Sequence, residues 1–211
     1  MYIKEIWRYP VKSMAGERLE RANITPLGIE GDRVVLVANP PGRVVTARSH
    51  PALLGHKGST DANGTPLVDG RPWTELSVLD DVRKIAGPDA ELIYDESADR
   101  FDVLPLLVAT DGSIAAFGRD GRRLRPNLVI GGVEGLEERQ WPGRTLRAGN
   151  VVLTLESLRG RCVMTTYDPE TLRQDRGVLK DILKRFDGKL ALNCAVQHGG
   201  AIAVNQEVEL L

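Results

Sequence analysis

The sequence predicts a mainly β fold with short helices, an α+β chain, and three observations carry that expectation. Short apolar or alternating runs rich in Val, Ile and Leu recur along the whole length, at the scale of strands. Turn formers separate them, with 22 Gly and 12 Pro in 211 residues. Only a few stretches hold apolar residues at helical spacing.

Tyr2 to Arg8 reads as the opening strand, with Ile3, Glu5 and Trp7 alternating imperfectly against Lys4 and Ile6. Pro10 then ends the ladder, because proline has no N–H to donate. Leu19 to Thr25 is the next strand, followed by Arg33 to Ala38 and Arg43 to Ala47. Between the last two, Asn39-Pro40-Pro41-Gly42 favours a turn and so a hairpin. Gly28 and Gly31 punctuate a loop, and Asp69-Gly70 marks another turn. Thr74 is placed to cap a helix carrying Leu76, Leu79, Val82, Ile85 and Ala86, closed by Gly87-Pro88.

In the second half, Leu104 to Thr110 is a strand and Asp111 can cap a short helix through Phe117, ended by Gly118. Asn127 to Ile130 and Val151 to Leu158 are strands. Leu179, Ile182, Leu183 and Phe186 fall at helical spacing within Val178 to Phe186, ahead of Gly188. Leu190 to Val196 and Ala201 to Leu211 complete the strands. The polar stretch from Gly87 to Phe101 is the natural division, giving an amino-terminal β-rich unit over 1–90 and a second unit over 91–211.

Composition excludes several function classes. The formal net charge of −1 offers no basic excess for nucleic acid. No apolar run approaches the ~20 residues of a membrane helix. Charged residues interrupt Met1 to Trp7, where a signal peptide needs an unbroken apolar stretch, so a cytoplasmic protein is expected. Two cysteines, Cys162 and Cys194, are too few and too far apart for a disulfide scaffold or a C-x-x-C metal site. A lone cysteine is ordinarily a small buried hydrophobe, and the apolar run around Cys194 fits that reading.

Four segments could carry chemistry. Tyr9-Pro10-Val11-Lys12-Ser13 sets a cation and a hydroxyl at a strand end, although a plain turn with a solvated lysine would look the same. Gly31-Asp32-Arg33 brings an arginine into a strand from a glycine loop, or else forms a surface ion pair. Arg125-Pro126-Asn127 offers a fork that matches phosphate and an amide that both donates and accepts. In Arg159-Gly160-Arg161-Cys162 the flanking cations favour the thiolate, the form that binds metals and attacks electrophiles. Separated arginines, a lysine and a thiolate suit an anionic, phosphate-bearing cofactor with a soft metal. No Gly-x-Gly-x-x-Gly or Walker loop is present to cradle a nucleotide.

The ordered set Tyr9 to Ser13, Asp32-Arg33, Val45-Thr46-Ala47-Arg48, Arg125 to Ile130 and Arg161 to Pro169 resembles the MOSC-domain family. Within it, the chain is most similar to the amidoxime reducing components and their bacterial relatives. The resemblance implies a MOSC β-barrel with an amino-terminal β-rich subdomain, holding the molybdenum cofactor (Mo-molybdopterin) between the two. It implies that Cys162 is the thiolate ligand to molybdenum. Lys12, Ser13, Arg33, Arg125 and Asn127 would hold the pterin and its phosphate, with Thr110, Ser113 and Arg161 as further candidates. It implies an oxidoreductase acting on a small-molecule substrate, an N-hydroxylated or related N–O or S–O compound. Electrons would come from a separate redox protein, since no flavin fingerprint or cysteine cluster is present. A sulfur or cofactor carrier, with a persulfide on Cys162, is the competing expectation. A non-catalytic barrel with a merely buried cysteine is a third.

Overall fold

Strands dominate the computed structural model, which describes residues 1–211 and holds three short α-helices. Eight strands form one large sheet in the order Glu209–Leu210, Thr145–Ala148, Val151–Gly160, Lys189–His198, Leu106–Thr110, Leu128–Gly131, Tyr2–Arg8 and Glu17–Leu19. Its one parallel pair, Leu106–Thr110 with Leu128–Gly131, is joined by a crossover containing the helix Asp111–Phe117. The sheet curls on itself. Ile3 N donates to Gln206 O at 2.9 Å and Asn205 N to Ile3 O at 2.7 Å, so the opening strand meets the segment that feeds the far edge. Ile3, Ile6, Leu106, Ile130, Leu155 and Leu192 fill the space inside the curl.

Three smaller sheets complete the architecture. Val35–Asn39 lies between Glu91–Tyr94 and Arg43–Val45; Arg21–Thr25 between Gly200–Ala203 and Gly28–Ile29; Pro66–Val68 between Gly58–Thr60 and Arg71–Pro72. A second core joins Val35, Val37, Leu53 and Val68 to the helix Leu76–Ala86, whose Val78, Val82 and Ala86 face inward at a spacing of four. The helix Arg176–Phe186 repeats that device with Val178, Ile182 and Phe186, which pack on Phe117 and Leu124. No helix is long and apolar enough to cross a membrane.

The predicted hairpin forms, with Val37 opposite Val45 and Asn39 opposite Arg43. Its first strand starts at Val35, because Arg33 has φ +57° and cannot extend a ladder. Two predicted strands are each divided. Leu19 to Thr25 breaks at Glu20: Glu17–Leu19 pairs with the opening strand and Arg21–Thr25 with Gly200–Ala203. Ala201 to Leu211 breaks likewise into Gly200–Ala203 and Glu209–Leu210, which belong to different sheets. Val204 N donates to Glu20 O at 3.0 Å, so both breaks share one corner where strands change sheet. Helix caps also shift by one residue. Glu75, with no side-chain capping bond, precedes the first long helix in place of Thr74. Thr110 caps the second, with Asp111 in its first turn.

Candidate functional site

Residues from both halves of the chain line one cleft, among them Lys12, Ser13, Arg33, Arg48, Asp102, Arg125, Arg159, Arg161 and Cys162. Its empty space, counted out to the open mouth, is about 870 Å³. Three of its wall residues, Ser13, Arg33 and Arg125, have positive φ values of +73°, +57° and +55°. Each such conformation costs roughly 1–3 kcal/mol for a residue with a side chain, and such residues concentrate at binding sites.

Asp32 organises the inner wall from a fully buried position. Its Oδ1 accepts from Tyr9 N at 2.7 Å, and its Oδ2 accepts from Asn127 Nδ2 at 3.1 Å and from Arg33. The Arg33 and Arg125 guanidinium carbons lie 5.1 Å and 4.3 Å from the Tyr9 ring centroid, so one aromatic ring seats both cations. Tyr9 in turn donates through its hydroxyl to Pro126 O at 3.1 Å. Burial pushes the Tyr9 hydroxyl up to about 12, against the pull of Arg125 and Arg33. Burial brings Arg125 down to about 10.

Cys162 follows the long strand Val151–Gly160 and precedes a 3₁₀ turn, Val163–Thr166. Thr165 tightens that turn by donating its hydroxyl to Cys162 O at 2.8 Å. The cysteine is half-buried and unpaired. Arg161, beside it, is brought down to about 10 by burial, although the Cys162 sulfur favours its charge. Arg161 Nη2 donates to Leu124 O at 2.7 Å, while its Nε and Nη1 are buried without any partner. A buried, half-answered guanidinium is unfavourable by itself and is the donor set that an anionic ligand completes. A phosphate-bearing cofactor with a thiolate-bound soft metal fits these residues: cations on the inner wall, a sulfur ligand at the edge.

At the outer wall, Asp102 gathers three cations, Lys12 at 3.1 Å, Arg48 at 2.5 Å and Arg159 at 3.3 Å. Burial alone would raise its pKa, but Lys12, Arg48 and Arg159 outweigh it and hold the carboxyl below its usual range. Lys12 also donates to Arg100 O at 2.7 Å, which ties it to the protein.

The cleft therefore brings together Lys12, Ser13, Arg33, Arg125, Asn127, Arg161 and Cys162. Asn127 is committed to scaffolding: its Oδ1 accepts from Leu107 N at 3.1 Å and its Nδ2 serves Asp32 and Trp7 O. Thr110 and Ser113 do not reach the cleft. Both are fully buried, and with Glu138 they form a closed knot. Ser113 N donates to Thr110 Oγ1 at 3.1 Å and Ser113 Oγ to Glu138 Oε2 at 2.7 Å. Their hydroxyls belong to a capping box, whereas the resemblance offers them as cofactor ligands. Roles for Tyr9, Asp32, Arg48 and Asp102 were not assigned from sequence, and Arg159 appeared only as a cation near Cys162. Asp32 could have been found as the acid preceding Arg33, whereas nothing local marks Asp102. Cys194 is buried in the core, its thiol donating to Leu192 O at 3.4 Å, and burial pushes its pKa up.

Comparison with known proteins agrees with this layout. Residues 1–78 match the family model of the MOSC N-terminal beta barrel domain, and residues 112–209 that of the MOSC domain. Mitochondrial amidoxime-reducing component 1 of Homo sapiens is 24% identical over 242 residues, covering 87% of this chain and 71% of that protein. Mitochondrial amidoxime reducing component 2 of Macaca fascicularis is 26% identical over 244 residues, covering 87% and 72% respectively. Among solved structures, the YUAD protein of Bacillus subtilis superimposes with a TM-score of 0.55 at 12% identity, covering 99% of this chain and 94% of that one. That last likeness is one of fold. With the two domain models matched in order, and residues of both meeting around one cysteine, the chain belongs to the MOSC-domain family.

Proposed function

We propose that this chain binds the molybdenum cofactor in the cleft and reduces N-hydroxylated or related N–O or S–O compounds. Arg161 carries the reading: two buried donor nitrogens without partners, immediately beside a half-exposed cysteine and in the wall of a cation-lined cleft. The relatives named as amidoxime-reducing components support the reaction class.

In this reading Cys162 supplies the thiolate ligand to molybdenum. Arg33, Arg125 and Arg161 hold the pterin phosphate, the first two kept in place by the Tyr9 ring and Asp32. Ser13 adds a hydroxyl from its strained turn. Lys12, held by Asp102 and Arg100 O, faces the same cleft from the outer wall. Asn127 fixes the wall instead of touching the ligand. When bound, the cofactor supplies two-electron redox chemistry with oxygen-atom removal. Overall, the N–O bond breaks, an N–H bond forms, and two electrons and two protons leave the oxygen as water. A separate redox protein supplies the electrons, because Cys162 is committed to the metal and Cys194 is buried in the core. The test is turnover of benzamidoxime by cofactor-loaded protein with reduced methyl viologen as donor. Reduction to benzamidine is expected; cofactor-loaded protein that leaves the amidoxime unchanged would contradict the reading.

A further inference from the structure

Asp102 carries more positive charge than one carboxylate can balance. Its Oδ1 faces Lys12, and its Oδ2 is shared by the guanidinium groups of Arg48 and Arg159. Three cations face one carboxylate here, and the Cys162 sulfur beside Arg48 and Arg159 is committed to the metal in the reading above, so the wall keeps a positive surplus. Donors are in surplus as well, since each guanidinium has five N–H groups. Arg48 donates to Asp102 through Nη2 and also lies against the Cys162 sulfur, and 43% of its side chain is exposed. Arg159 engages through Nη1 to Asn193 and Nη2 to Asp102.

This outer group is distinct from the inner one. Arg33 is matched by Asp32, Arg125 is seated on Tyr9, and Arg161 has its own unpartnered N–H groups. Arg48, Arg159 and Asp102 nevertheless line the same cleft as Cys162, where a substrate would approach. We propose that Arg48 and Arg159 form an anion subsite beside Cys162 that selects substrates carrying a carboxylate near the reducible group, with Asp102 as its internal competitor. The proposal rests on the reading of Cys162 given above for the word substrate, but the anion subsite can be measured without turnover. A planar carboxylate matches the two forks that now share a single Asp102 oxygen.

Calorimetric titration of cofactor-loaded protein with benzoate and with neutral benzamide reads the subsite directly. The wild type should bind benzoate about 10-fold more tightly, the order expected of a hydrogen-bonded charge. Arg48→Gln and Arg159→Gln should each lose most of that preference, and Asp102→Asn should gain benzoate affinity several-fold. Equal binding of the two ligands would overturn the proposal, as would a preference that survives both arginine substitutions. So would benzoate exclusion from loaded protein with binding to cofactor-free protein, which would give these cations to the cofactor. A turnover arm compares 4-carboxybenzamidoxime with benzamidoxime, and the kcat/KM ratio should fall about 10-fold in each arginine variant. If neither amidoxime is reduced while the benzoate preference holds, the reductase reading fails and the anion subsite stands.

Discussion

The guanidinium carbon of Arg125 lies 4.3 Å from the centroid of the Tyr9 ring, which links a turn of the amino-terminal half to the wall of the second half. Arg33 lies over the same ring at 5.1 Å, so Tyr9 sets the spacing of two cations that would otherwise repel. Each such contact contributes roughly 0.5–2 kcal/mol, more when desolvated. Tyr9→Leu should therefore lower pterin retention several-fold, and Tyr9→Phe, which keeps the ring and loses only the bond to Pro126 O, should lower it less. Pterin content after gel filtration is the readout. Equal retention in Tyr9→Leu and wild type would remove the ring from the account.

Asp32 is the buried acid that orders this wall. Asp32→Asn keeps an acceptor for Tyr9 N and removes the charge that faces Arg33. The expected loss of stability is about 1–3 kcal/mol by urea unfolding, the cost of a buried charge-assisted bond left incomplete. Pterin content should fall with it, because Arg33 loses its fixed partner.

The two cysteines should separate cleanly. Cys194→Ser places a hydroxyl in a fully buried apolar position between Leu106 and Leu155 of the large sheet. It should cost about 1–3 kcal/mol of stability and leave the metal content of folded protein unchanged. A fall in molybdenum at unchanged fold would contradict the core assignment.

Glu138 gives a pH signature. Burial raises its pKa above the ordinary value, against bonds from Ser113, Thr110 and Ala191 that favour the carboxylate. For a raised acid, the folded state favours the protonated form. Its contribution to stability is thus largest at low pH and declines as pH rises through the folded-state pKa. Glu138→Gln cannot titrate, so the Tm difference of wild type minus variant should fall as pH rises above the ordinary carboxylate range. A difference that stays flat or grows with pH would contradict this. Cofactor content at neutral pH should not follow, since the Thr110–Ser113–Glu138 knot stands apart from the cleft.

Much of the fold was legible because its signals are local. Leu76, Leu79, Val82, Ile85 and Ala86 marked the first long helix, though Val78 faces inward with Val82 and Ala86 while Leu76 is exposed, and Asn39 to Gly42 joins two apolar runs that do pair. The divided strands were not legible. The alternation changes phase at Glu20-Arg21, between Leu19 and Ala22, but a phase change alone does not place a corner, which the pairing of Arg21–Thr25 with the distant Gly200–Ala203 reveals. The cations of the cleft were legible as residues near turns and beside a cysteine. Their partners were not, because Asp102 and Tyr9 act through contacts between segments far apart along the chain. Thr110 and Ser113 show the converse: a hydroxyl pair at a helix start serves either a ligand or a cap, and in this structure the cap and Glu138 engage both.

The most direct test of the central claim is the molybdenum and pterin content of wild-type and Cys162→Ser protein from a host that makes the cofactor. The account predicts stoichiometric molybdenum and pterin in the wild type. It predicts a folded Cys162→Ser variant whose molybdenum is largely lost, since an alkoxide replaces a soft thiolate poorly. A folded wild type free of both, or a Cys162→Ser variant with its full complement of molybdenum, would contradict it.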